Sequence, residues 1–141
     1  MSAAVLVSDL HLTTAPRDEY RWGLFPWLRA RCREQSIEQV LLLGDLTDEK
    51  DHHSSLLVNR VVDELTTLRD HVKAVHVLRG NHDGLDPSRP FFLFLGHVPG
   101  IHFYHDAQEV ELLGHKVLML PHCRAPERSW SGLSFSSFQA V

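Results

Sequence analysis

A chain of 141 residues holds one core of ordinary size and is too short for two. With 43% apolar and 23% charged residues it has a soluble globular composition, which excludes fibrous and low-complexity classes. Fourteen basic against eighteen acidic residues leave a formal charge of −4, so no overall cationic field draws the chain to nucleic acid or anionic lipid.

Ala3 to Val7 is a short apolar run with β-branched Val5 and Val7, ended by Ser8-Asp9, and it predicts a buried strand. From Asp18 to Gln35 the stripe Tyr20, Leu24, Trp27, Leu28 predicts a helix that Pro26 should kink. Val40 to Leu43 is a second buried run, stopped by Gly44-Asp45. Leu57, Val58, Val61, Val62, Leu65 and Leu68 follow the 3.6-residue period of a second helix. Ala74 to Leu78 predicts a third strand, stopped by Gly80-Asn81-His82-Asp83. The order β-α-β-α-β argues for a parallel sheet covered by helices. Next come the apolar Phe91 to Leu95, read as core packing in preference to a substrate-facing lid, and then a hairpin of Val110–Leu113 and Val117–Leu120 turning at Gly114. Residues 124–141 are Ser-rich and read as a weakly structured tail, docked by Trp130, Phe135 and Phe138, after a domain of residues 1–123.

Ligand sites in open α/β sheets lie beyond the carboxyl ends of the strands, and three polar clusters fall there. They are Asp9-Leu10-His11, Gly44-Asp45-Leu46-Thr47-Asp48 and Gly80-Asn81-His82-Asp83, with Asp9 to Asp45 and Asp45 to Asn81 both 36 positions apart. Asp9 and His11, two apart, point the same way if the backbone is extended, while Leu10 turns to the core. Gly44 and Gly80 let Asp45 and Asn81 turn into the site. Carboxylate, imidazole and amide on one rim suit hydrolysis at phosphorus by two metal ions about 3.5–4 Å apart that hold a hydroxide nucleophile. Asp45, on the middle cluster, is the natural bridge. Mixed nitrogen and oxygen ligation fits two divalent transition-metal ions (Mn, Fe or Zn, with Mn favoured) better than Mg or Ca. His82 could protonate the leaving alkoxide, with Asp83 fixing its tautomer.

D-x-H, G-D-x-x-D and G-N-H-D in this order and spacing resemble the calcineurin-like metallophosphoesterase superfamily, by motif over Val5 to Asp83 and more loosely over Val110 to His122. The resemblance implies a layered α/β/β/α fold, here C-terminally truncated. It also implies a phosphomonoester or phosphodiester substrate, nucleotides and nucleic acid being among the candidates. It gives Asp9 and His11 to the first ion, Asp45 to both and Asn81 to the second; His82, assisted by Asp83, faces substrate, and Asp48 supports the ligands without binding metal. The family also carries a later lone histidine, a role His122 could fill, and a G-H-x-H that occurs nowhere in this chain. A partner or second copy supplying ligands is therefore a further expectation. So is association through uncovered apolar surface, and so, as the rival to catalysis, is a non-catalytic chain that binds one ion weakly or serves as an interaction module.

The other histidines read as surface or core residues, His52 and His53 as solvated ones at the start of the second helix. Trp22 and Trp27 read as an amphipathic helix, not a base-stacking surface. Arg17, Arg79, Arg89 and Arg124 are phosphate-binding candidates of equal standing. Cys32 and Cys123 are too far apart in sequence for a CxxC site and read as reduced thiols. No apolar run nears the roughly 20 residues of a membrane span, and Met1 to Ser8 lacks a signal-peptide pattern, so a cytoplasmic protein without membrane contact is expected.

Overall fold

The apolar runs line up as one parallel sheet in the computed structural model, which describes residues 3–136. β1 (Ala3–Val7), β2 (Ile37–Leu42), β3 (Ala74–Leu78) and β4 (Ile101–Tyr104) lie side by side in chain order. Their register sets Val5, Val40, Val75 and Ile101 in one row and Val7, Leu42, Val77 and Phe103 in another. Both rows face the same side, because alternate residues of a strand share a face. There they meet Phe25, Leu28 and Cys32 of α2 (Leu24–Gln35) and Leu57, Val61, Leu65 and Leu68 of α3 (Ser55–Arg69). Crossovers of one hand between successive neighbours place α2 and α3 on that side. Phe25 and Phe92 are wholly buried in this core, each contributing ~1.5–3 kcal/mol by the area it hides.

On the opposite face, Leu41, Leu78 and Tyr104 pack against Leu112 and Met119 of a hairpin, β5 (Gln108–Leu112) and β6 (His115–Met119). Its turn, at Leu113-Gly114, has both φ angles positive. Among the described residues no helix is long and apolar enough to cross a membrane.

Several local expectations change. β4 is absent from the sequence reading; its four residues alternate Ile101, His102, Phe103, Tyr104 and only Ile101 and Tyr104 are buried, a pattern too short to stand out. The expected helix from Asp18 to Gln35 is divided into a 3-10 turn (Pro16–Asp18), α1 (Glu19–Trp22) and α2 from Leu24. Pro26 thus lies in the first turn of α2, where a backbone N–H has no helical acceptor to lose, and the body of the helix is not interrupted. Phe91–His97 winds into a 3-10 segment that buries Phe92 and Leu95 in the core, half-buries Phe91 and Leu93 and leaves Phe94 exposed. His53 is not solvated: its ring stacks 4.0 Å from Phe91, and Nε2 lies 2.7 Å from the Thr47 hydroxyl. Within the expected tail, α4 (Pro126–Ser129) forms, Trp130 is half-buried and Phe135 stays exposed instead of docking; Phe138 lies outside the described residues.

The hairpin face also buries a polar chain. His76 is 5% exposed, with Nε2 2.6 Å from Gln39 Oε1, Nδ1 2.8 Å from the Tyr104 hydroxyl, and His102 stacked 5.0 Å away. Nε2 can donate only to the Gln39 carbonyl oxygen, and the Tyr104 hydroxyl can donate to Nδ1, so the neutral ring is satisfied where it lies. Burial, reinforced by His102, pushes its pKa down to about 4. An unfolded histidine titrates near ~6.5, so between those values the unfolded chain binds the extra proton and stability falls as pH falls. The wild type is expected to lose urea resistance from pH 6.5 to 4 more steeply than His76→Gln; parallel profiles would contradict this account.

Candidate metal centre

The loops after β1, β2 and β3 meet at the carboxyl edge of the sheet. Beyond the strands the first two run on together: His11 N–H donates to Asp45 O at 2.9 Å, Leu12 N–H donates to Leu46 O at 3.1 Å, and Leu12 bridges Thr47 in parallel. Leu10 and Leu46, 5% and 1% exposed, anchor them in the core.

The third loop is tied in by Asp83, whose wholly buried carboxylate accepts from Gly80 N–H at 2.6 Å, Asp45 N–H at 3.0 Å and Leu46 N–H at 2.9 Å. Burial raises its pKa, and these donors pull it back. Gly80 is dictated by proximity: a Cβ there would sit 2.2 Å from Asp45 Oδ1 and 2.4 Å from Asp45 N. Asp9, His11 and Asp45 hold φ values of 55°, 45° and 52°. Left-handed backbone costs a non-glycine residue roughly 1–2 kcal/mol, a strain the surrounding hydrogen bonds fix in place. Asp9 and His11 therefore converge through left-handed turns and not through the extended backbone expected of them.

The side chains gather as follows. His11 Nε2 lies 3.8 Å from Asp45 Oδ2 and 3.9 Å from Asp9 Oδ1, and its Nδ1 lies 3.2 Å from Asp48 Oδ1. Asp45, 8% exposed, accepts the His82 N–H on Oδ1 at 2.8 Å. The rings of His11 and His82 meet edge to face at 5.0 Å. Ligating atoms of His11, Asp45 and His82 fall within 4.8 Å of one another, the trio of metal-ligand type among the described residues. Asp9 stands at the rim, its side chain 68% exposed.

These residues fit a metal ion. His11 presents Nε2 between the carboxylates of Asp45 and Asp9, its Nδ1 being turned to Asp48. Asn81 lies against Asp45: with its amide nitrogen inward it donates to Oδ2 at 2.9 Å, and with its oxygen inward it sets acceptor against acceptor, which a cation between them would make favourable. Imidazole, carboxylate and amide together suit a transition metal of intermediate softness.

Two expected roles shift. Asp83 does not steady the His82 ring, because its oxygens are taken by backbone amides; the ring nitrogen Nδ1 instead faces Asp48 O at 3.0 Å. Asp48 touches both histidine rings, whereas the cap of α3 is Ser54, which accepts the Leu57 N–H at 3.2 Å. His122 lies apart from the trio, its backbone paired with Arg79. Of the candidate phosphate-binding arginines, Arg79 is buried and donates to the carbonyls of His105 and His122, Arg17 projects into solvent beside Asp18, Arg89 lies near Asp86, and Arg124 is exposed.

The contact of Arg21 with the His11 loop was not legible in the sequence. The Arg21 guanidinium donates to the carbonyl of His11 and lies 3.4 Å from Asp18, which accepts the Thr13 hydroxyl at 2.7 Å, and the Trp22 indole donates to Thr13 O at 2.9 Å. Trp22 is thus core and brace of the His11 loop. No spacing in the sequence signals this, since the contacts run from side chains of α1 and its preceding turn to a neighbouring loop.

The family model for calcineurin-like phosphoesterases matches residues 4–126, and the chain belongs to that family. Membership implies metal-dependent hydrolysis of phosphate esters as the general class of chemistry. Comparison with curated proteins returned no match.

Replacing Asp83 by alanine strands three backbone donors in the interior, at ~1–3 kcal/mol for each one left unpaired. Asp83→Ala is expected to lose about 3 kcal/mol or more of stability to urea denaturation, while Asp48→Ala, at an exposed carboxylate, loses about 1 kcal/mol or less. Equal losses in the two variants would remove Asp83 as the tie between the loops.

Proposed function

We propose that the chain hydrolyses a phosphomonoester or phosphodiester with two divalent transition-metal ions, manganese favoured, held by Asp9, His11, Asp45 and Asn81 with Asp45 between them. The observation that carries this reading is the convergence of three separate loops, each strained or closely packed, on one cluster of ligand atoms. When bound, the ions supply Lewis acidity and an activated water nucleophile. The chain's own residues do the rest. His82 donates its Nδ1–H to the Asp48 carbonyl, so that Nε2, when the ring carries its second proton there, can pass that proton to the departing alkoxide and be left neutral. Asp83 positions the backbone that carries Asp45 and His82, and Arg21 positions His11.

Two cysteines without a framework support a reducing, cytoplasmic setting. A second reading, a chain that binds one ion weakly without catalysis, is favoured by the exposure of Asp9 and by a single trio of ligands.

The test loads the full chain with Mn²⁺, counts metal by elemental analysis and follows hydrolysis of bis(4-nitrophenyl) phosphate, with Asp45→Ala as control. About two ions per chain are expected. A rate at least ~100-fold lower in the variant should accompany them, more than loss of an outer partner costs. One ion or none, with a rate indifferent to the variant, establishes the non-catalytic reading. Specific activity that climbs with protein concentration would show ligands supplied by a partner or second copy.

A further inference from the structure

The flank of the molecule along β1 leaves backbone and apolar side chains uncovered together. Among the described residues β1 pairs with β2 alone. Val7 O accepts the Leu43 N–H at 2.7 Å, so Val7 and Val5 turn their backbone groups to β2, and the alternate residues Ala4 and Leu6 turn theirs outward. Open edges are ordinarily blunted by charge, proline or a covering segment. The β1 edge has neither charge nor proline, and its pairing is regular from Ala4 onward. Its side chains are thinly covered as well. In the rows that face the helices Val40, Leu42, Val75 and Val77 are at most 1% exposed, whereas Val5 and Val7 are only half-buried, because α2 packs chiefly over β2. On the hairpin face Leu6 is exposed.

α2 completes this flank. It meets α3 through the Arg29–Glu64 pair, and α3 covers β3 and β4, so the far side of α2 overlooks β1. That side carries Tyr20, Leu24 and Trp27, which share one helical face because Gly23 has helical φ and ψ and keeps α1 in phase with α2. Tyr20 is 74% and Trp27 52% exposed. The helical stripe that the sequence marks as apolar thus lies mostly outside the core, which is filled by Phe25, Leu28 and Cys32 instead.

We infer that this flank binds a second copy of the chain, β1 against β1 and α2 against α2, about a twofold axis perpendicular to the sheet. The free N–H and C=O groups of Ala4 and Leu6 call for another strand edge, and two identical edges pair antiparallel across a twofold. With the axis at Val5, the large Leu6 of each copy stands opposite the small Ala4 of the other. Because α2 joins two parallel neighbours it runs antiparallel to β1, so the same axis sets the two aromatic stripes side by side. Charge favours a copy over an acidic or basic partner. The one charge on the stripe, Arg31, lies 5.9 Å over the Trp27 ring and pairs with Glu34 at 2.9 Å, so no unneutralised charge meets its like and none is left for a foreign one. Tyrosine, tryptophan and arginine are also the side chains most enriched in interfaces. Pairing uses the open edge of both copies and stops at two. The two carboxyl edges then point to opposite ends, so each copy keeps its own ligands, and the inference is independent of the phosphoesterase reading.

Sedimentation equilibrium of the full chain without added metal, over a range of concentrations, tests this together with amide hydrogen exchange read residue by residue by NMR. The mass should rise from the 16.1 kDa of one chain to twice that and no further. As the dimer fills, the Leu6 amide should exchange at least ~10-fold more slowly. Trp27→Glu and Leu6→Lys should each weaken the dimer at least ~10-fold. Both replaced side chains are more than half exposed, so the variants should keep the wild-type circular dichroism. Phe94→Glu, at an exposed apolar residue beside β4 on the opposite edge of the sheet, serves as the control and should leave the dimer unchanged. A mass of one chain at every concentration, association that continues past two, a dimer whose Leu6 amide exchanges freely, or equal weakening by Phe94→Glu would each overturn the inference.

Discussion

The site depends on one carboxylate that never faces solvent. Asp83 gathers the N–H groups of Gly80, Asp45 and Leu46 onto two oxygens, and by doing so locks the loop after β3 to the loop after β2. Such bonds to a charged acceptor are stronger than neutral ones, and in the interior they are worth more still. The consequence reaches the chemistry through geometry. With its backbone N–H held from behind, Asp45 projects its own carboxylate forward to His82 N–H and toward His11. Gly80 must lack a side chain because this juncture brings its Cα almost onto Asp45.

The sheet makes that juncture possible. Its rows of valine and leucine bring the carboxyl ends of β1, β2 and β3 to one edge, and α2 and α3, packed on one face, leave that edge free for loops. Left-handed backbone at Asp9, His11 and Asp45 is then tolerated because neighbouring hydrogen bonds and buried leucines determine each position from several sides. Strain here aims ligands; the rest of the fold, from the α3 stripe to the Arg29–Glu64 pair at 2.5 Å, supplies the stability that holds it.

Much of this was legible in the sequence, for identifiable reasons. Parallel strands read as continuous apolar runs, so β1, β2 and β3 stood out, and α3 was visible through its period; the burial expected of β1 fails, because it is an edge strand whose Leu6 is 57% exposed. β4 was not, because an edge strand of four residues with His102 exposed carries too little pattern. At the site, the residue types and their place after strands were readable, but the partners of buried charges were not. Asp83 follows His82 directly and invites pairing with it; the fold turns it inward instead, and the contact at His82 Nδ1 falls to the carbonyl of Asp48, distant in sequence. The bracing role of Arg21 was hidden for the same reason, since it lies wholly in which loop the side chain reaches.

Anomalous diffraction from crystals of the full chain soaked in Mn²⁺ tests the central claim most directly. The account predicts manganese peaks bounded by His11, Asp45 and Asn81, with the Asp83 carboxylate still on its three amides. Manganese bound elsewhere, or only at surface carboxylates while these side chains keep to one another, would contradict it.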